Sequence, residues 1–98
     1  VIASFDRIVA GVAFAFGVPP LAILGKERAK SLNEARLVAY YVARHCTRMS
    51  YPELGRAFGR NHTSIHAGVH RIGRVYALDP WLAEMVRVLV TRFEGVQQ

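Results

Sequence analysis

The sequence predicts an all-α fold: a bundle of five to six helices around one core, two of them forming a helix-turn-helix. Three observations point there. Apolar residues recur at helical spacing along the chain, and no run alternates with period two over the length of a strand. Glycines and prolines stand where helices would start or stop, at Gly17, Pro19, Pro20, Gly25, Pro52, Gly59 and Pro80. A short helical segment, a tight glycine turn and a longer helical segment follow one another between Tyr51 and Leu78. With 98 residues, 52% of them hydrophobic, the chain reads as one domain over residues 1–98 with a single core. Its 20% charged residues and lack of low-complexity tracts set it apart from disordered chains.

The first helix starts with Ser4 as N-cap and runs to Phe16, ending at Gly17; Ile8, Val12 and Phe16 share a face, with Phe5 and Val9 beside it. Pro19-Pro20 opens a short second helix through Leu24, closed by Gly25. A basic loop, Lys26 to Lys30, follows. Ser31 and Glu34 have capping-box spacing, so the third helix is expected from there to about Arg48, burying Leu32, Ala35, Ala39, Val42 and Cys46. Ser50 and Glu53 form a second capping box, with Pro52 in the first turn of a brief fourth helix that ends at Phe58. Gly59 makes the turn, and Asn61 caps a fifth helix running to about Leu78 over the stripe Ile65, Val69, Ile72 and Tyr76. Asp79-Pro80 is an N-cap followed by proline at the first helical position. The sixth helix then extends to about Phe93, packing Leu82, Met85, Val86 and Leu89, and the tail from Glu94 is expected to fray.

Charge narrows the function. The net charge is +6, and it is concentrated. Lys26 to Arg74 holds ten Lys/Arg against three acids; the rest of the chain holds three against four. A localised basic segment is the footprint of a polyanion partner. The single cysteine, Cys46, allows no internal disulfide and fits a reducing cytoplasm; within an apolar helical run it reads as a small buried hydrophobe. The apolar stretch Ile8 to Leu24 is broken by Pro19 and Pro20, which argues against a spanning helix, and Asp6 beside Arg7 argues against a signal peptide.

In a helix-turn-helix the second helix enters the major groove with its N-terminal residues on the base edges. Here those residues are Arg60, Asn61, His62, Thr63 and Ser64, all polar and able to hydrogen-bond. Arg56 and Arg60 flank the turn and can hold phosphates, and His66, His70, Arg71 and Arg74 lie on other faces of the helix.

The stretch Phe58-Gly-Arg-Asn-His-Thr-Ser-Ile65 resembles the signature of the C-terminal DNA-binding domain of the bacterial replication initiator DnaA, a family that reads Gly-Arg-Asp-His-Thr-Thr-Val there. Ser50-Tyr-Pro-Glu-Leu-Gly55 is similar to that family's preceding Ser-Leu-Pro-Glu-Ile-Gly, and Ile8-Val-Ala, Phe16-Gly-Val18, Leu24 and the basic loop keep the family's order. The resemblance spans roughly Phe5 to Phe93. It implies a Trp repressor-like all-α domain on double-stranded DNA, acting in replication or transcription in the bacterial cytoplasm, associated with the nucleoid. By position, it implies Arg28 in the minor groove with Lys26 and Lys30 as helpers, and Arg36 holding DNA early in the third helix. Arg60, His62 and Thr63 would meet major-groove bases or phosphates. Phosphate contacts are thus expected from Lys26, Lys30, Arg36, Arg56 and Arg71, and base readout from Arg60, Asn61, His62, Thr63 and Ser64, with Arg28 in the adjacent groove.

Departures from the family pattern mark a divergent relative. Asn61 replaces aspartate, and asparagine is able to pair bidentately with adenine N6 and N7, so the DNA site is expected to differ from the standard initiator box. Ser64 lacks the methyl that threonine offers to thymine. The turn is one glycine shorter, Ala67 stands where a histidine is usual with His66 one place earlier, and Glu27 and Glu34 fall on normally basic ground.

Other classes find less support. Pro20-Leu-Ala-Ile-Leu-Gly-Lys-Glu27 only mimics a phosphate loop, since its first glycine is Pro20 and its Ser/Thr is Glu27, so no nucleotide is expected. His62, His66 and His70 repeat at four-residue spacing without a neighbouring carboxylate or cysteine, so no metal and no other cofactor is expected. Ser64, His62 and Asp79 do not form a nucleophile, base and orienter, and no paired carboxylates occur, so the chain is read as no enzyme. The rival reading is a helical protein-interaction module; the sequence leaves open whether Trp81 is exposed, and leaves the oligomeric state open too.

Overall fold

The structure, a computed structural model, describes residues 4–94 and has six α-helices among them: α1 Phe5–Phe16, α2 Pro20–Leu24, α3 Lys30–Cys46, α4 Tyr51–Phe58, α5 His62–Val75 and α6 Pro80–Glu94. A 3₁₀ turn, Tyr76–Leu78, joins α5 to α6. Helix α3 is the hub, packing against each of the other five. Its interior face presents Ala35, Val38, Ala39, Val42 and Cys46, all buried to within 1%. Ile8 and Val12 reach it from α1, Leu54 and Phe58 from α4, Ile65 and Ile72 from α5, and Val86 and Leu89 from α6. Phe58 meets Phe5 and Tyr40 edge-on, each at 4.7 Å between ring centroids, a geometry that satisfies the ring quadrupoles.

Most helix ends follow from local chemistry. The Ser4 side chain accepts from the Arg7 amide, and Gly17 closes α1 in the left-handed region at φ 69°. Both halves of the Ser50/Glu53 capping box form. Asp79 accepts from the Leu82 amide at the start of α6. Proline stands in the first turn of α2, α4 and α6, where its missing N–H has no intrahelical partner to lose.

Three boundaries differ from the sequence expectation. Helix α3 starts at Lys30 with Ala29 as N-cap and no side-chain cap bond, so the Ser31/Glu34 capping box does not form. The entry to this helix is fixed instead by Arg36, which holds the preceding loop from inside the fold. Helix α3 stops at Cys46 because Thr47 turns the chain: its Oγ1 donates to the Ala43 carbonyl and accepts from the Met49 amide. Helix α5 ends at Val75, and its expected last residues wind as the 3₁₀ turn. The fraying expected of the tail falls, beyond Glu94, outside the described residues. No helix among those described is long and apolar enough to cross a membrane.

Candidate nucleic-acid interface

The helix-turn-helix is α4, Gly59-Arg60-Asn61 and α5. Two glycines permit it. Gly59 adopts φ 69°, where a Cβ would clash with its own backbone. Gly55 lies under the turn: a Cβ there would stand 2.8 Å from the Arg60 carbonyl and 3.1 Å from the His62 nitrogen. The turn therefore folds back onto α4, and α5 leaves it with Asn61, His62, Thr63 and Ser64 all exposed. Asn61 Oδ1 caps α5 by accepting from the Thr63 amide at 2.9 Å, and it accepts from Thr63 Oγ1 as well, at 2.7 Å.

Beside this turn lies a basic groove of about 660 Å³. It is lined by Lys26, Arg28 and Lys30 from the loop and the start of α3, by Asn33, Arg36 and Tyr40 from further along α3, and by Arg60 from the turn. No acidic side chain lines it. A smaller hollow of about 310 Å³, also lined by Arg60, takes in Arg56, Asn61 and His62. Arg60 belongs to both, so the two concavities meet at the helix-turn-helix turn.

Two arginines fix this arrangement. Arg36 is only 7% exposed. Its Nε donates to the Ile23 carbonyl at 3.0 Å, Nη2 to Ala22 at 2.7 Å and Nη1 to Glu27 at 2.6 Å. Helix α2 has only five residues, so most of its carbonyls lack intrahelical partners, and the guanidinium at its C-terminal end serves those of Ala22 and Ile23. Arg60 continues the pattern: Nη2 donates to the Gly25 carbonyl, and Nη1 approaches the Phe58 and Gly59 carbonyls at 3.4 Å. The basic loop is thereby tied at its start to the turn that precedes α5. Arg36, expected among the phosphate contacts, is positioned as an internal clamp that shapes the groove, its donors turned on backbone carbonyls. Arg60 is half-buried and shares the clamping.

The other site residues stay at the surface: Lys26, Arg28, Lys30, Arg56 and Arg71 are all exposed. Arg71 lies in the third turn of α5, outside the lining of both concavities. The sequence reading missed Asn33 and Tyr40. They share the helical spacing of Lys30, so periodicity along α3 carries the signal. Burial raises the Tyr40 hydroxyl pKa above its ordinary value, against the lowering pull of Arg60 and Arg36; the phenol stays neutral in the groove. Also unforeseen is a ladder of rings beside α5. The Arg44 guanidinium sits 4.4 Å over Tyr51, Tyr51 meets His66 edge-on, and His66 stacks on His70 at 4.1 Å. The histidine face of α5 is thus occupied by mutual stacking, and no group of three His, Cys, Asp or Glu among the described residues is arranged to hold a metal ion.

Away from this face, Trp81 is 57% exposed and meets Phe16 edge-on. With Phe14, Met85 and Val88 it lines an apolar cleft between α1 and α6. Cys46 is fully buried; desolvation, and then Glu94, push its thiol pKa up to about 11, so it is a neutral packing group.

An all-helical domain that sets a capped, polar recognition-type helix beside an acid-free basic groove is a helix-turn-helix protein of the nucleic-acid-binding kind. The family of bacterial DnaA helix-turn-helix domains matches residues 5–72, and the chain belongs to that family. It is 37% identical over 87 residues to the chromosomal replication initiator protein DnaA of Deinococcus radiodurans, covering 89% of this chain and 19% of that protein. It is 41% identical over 74 residues to the DnaA of Ruegeria sp., covering 74% and 16%. The DnaA of Mycoplasma pneumoniae is 30% identical over 89 residues, covering 89% and 20%. The chain thus spans about one fifth of the length of the curated relatives it matches.

Proposed function

We propose that this chain binds double-stranded DNA sequence-specifically, with the first turn of α5 in the major groove and the Lys26–Lys30 loop in the adjacent minor groove. It would act within a replication initiator or as a DnaA-related transcription regulator. The observation that carries this reading is the joining of the two basic concavities at Arg60. One rigid surface then presents phosphate-binding cations on both sides of an exposed polar helix start. Lys26, Lys30, Arg56 and Arg71 supply charge to phosphates. Arg28 is the long, exposed side chain at the middle of the loop, suited to a narrow groove. Arg60, Asn61, His62, Thr63 and Ser64 supply donors and acceptors at base edges. Arg36 contributes indirectly, by holding the loop.

The test is titration against random-sequence and initiator-box duplexes at two salt concentrations. About four to eight phosphates neutralised correspond to a slope of about −4 to −7 in log K against log salt. Salt-steep binding with preference for the initiator box supports a replication role. Salt-steep binding to both duplexes alike supports a different target, identified by selection. No binding at low salt overturns the reading.

A further inference from the structure

The start of α5 carries an inference that rests on the DNA-binding reading above and sharpens it. Asn61 takes the N-cap conformation, φ −65° and ψ 138°, and its side chain accepts from the Thr63 amide. A backbone N–H donates only to an acceptor, so the atom turned into the helix is Oδ1 and the atom turned away is the amide nitrogen Nδ2. The Thr63 hydroxyl donates to the same Oδ1. Both lone-pair positions of that oxygen are therefore filled. Among the described residues, Nδ2 has no hydrogen-bond partner, and Asn61 is exposed.

This saturation changes what the residue can read. Bidentate pairing with adenine needs Oδ1 to accept from the adenine N6 amine while Nδ2 donates to N7. Here Oδ1 is already committed, so the adenine pairing that asparagine allows in general is closed to Asn61. What remains outward is a donor with two hydrogens. Guanine offers two acceptors in the major groove, O6 and N7; thymine offers O4 beside its methyl; adenine offers the single acceptor N7, with its N6 donor facing the second hydrogen of Nδ2; cytosine offers only the N4 donor. Thr63, its hydroxyl hydrogen committed, offers no donor beside it, so the contrast between bases at this position rests on Nδ2. We infer that Asn61 selects a keto base, guanine or thymine, at one position of the DNA site and disfavours cytosine there. An aspartate at this cap would keep the bond to the Thr63 amide and turn a second acceptor outward, which is the opposite choice.

The experiment is selection of bound duplexes from a random-sequence pool, followed by base-by-base competition, for the wild type, Asn61→Asp and Asn61→Ser. All three residues cap helices well, and circular dichroism verifies that each variant is folded. The wild type is expected to prefer guanine or thymine over cytosine at one position by roughly 5- to 100-fold. Asn61→Asp is expected to move that position alone to cytosine, and Asn61→Ser to flatten it. Identical base preferences for the wild type and Asn61→Asp overturn the inference while the DNA-binding reading stands, as does a wild-type adenine at the position that changes. A wild type that retains no duplex from the pool overturns the DNA-binding reading, and the inference with it.

Discussion

Arg36 and Arg28 lie eight residues apart and carry the same charge, yet burial gives them opposite work. The Arg36 guanidinium is enclosed and donates to three backbone carbonyls of α2 and the loop. Arg28 is exposed on the groove wall. Truncating Arg36 leaves partly buried carbonyls unpaired, and charge-assisted bonds of this kind are worth more than neutral ones. Arg36→Met is expected to lower stability by about 2–4 kcal/mol, read from urea midpoints. Arg36→Lys recovers little of it, because one ammonium does not span three carbonyls that a planar fork reaches. Arg28→Met is expected to stay within about 0.5 kcal/mol of the wild type in the same assay. Equal stability of the Arg28 and Arg36 variants would return Arg36 to the surface role that the sequence suggested. The sequence showed two arginines beside a basic loop. It did not show that one turns inward, because its carbonyl partners Ala22 and Ile23 lie 14 and 13 positions away across a turn.

At the scale of elements, signals contained within one turn of chain were readable and signals from across the fold were not. Ser4, Gly17, Ser50, Glu53, Gly59, Asn61 and Asp79 act within four residues of themselves, and each does what its residue type favours. Ser31 and Glu34 have equally good spacing but no cap forms, since the chain enters α3 along a path set by Arg36. The same logic separates the site: its outward first turn was legible from the glycine turn and the polar run, while the clamps and the ring ladder depend on contacts between helices. The α4 capping box gives this scale its prediction. Hydrogen bonding from the Ser50 amide, helped by Arg56, holds the Glu53 carboxyl below its ordinary pKa. A depressed carboxyl contributes stability above its unfolded pKa, about 4.3, and loses it as pH falls through the lower folded value. Glu53→Gln keeps an acceptor for Ser50 but has no charge to titrate. The gap in urea midpoint between wild type and Glu53→Gln is therefore expected to be widest at neutral pH and to close in that acid window. A gap that is constant from pH 7 to pH 3 would show that the ionised form of Glu53 adds nothing.

At the scale of the whole molecule, the question is whether the basic loop and α5 act as two contacts or as one surface. They come from separate stretches of chain, and their relative position decides whether both fit one duplex. The bond from Arg60 to the Gly25 carbonyl links the loop's start to the turn before α5, and Arg36 braces the same loop at the Glu27 carbonyl. Arg60 accordingly has two parts to play under the proposed function: one cation among several, and the tie that sets the spacing of the two contacts. The two parts separate on different DNA. On random-sequence duplex only charge matters, so Arg60→Ala is expected to reduce the salt slope by about 1 and weaken binding no more than Arg56→Ala does. On the selected site the spacing matters too, and a small misplacement of the loop would lose the contacts proposed for Arg28. There Arg60→Ala is expected to weaken binding by at least tenfold more than Arg56→Ala, and adding Arg28→Ala to Arg60→Ala is expected to cost much less than Arg28→Ala costs alone. That non-additivity is the mark of coupling through a shared geometry. Additive losses on the selected site would mean that loop and helix bind independently, and that the tie to Gly25 serves folding alone.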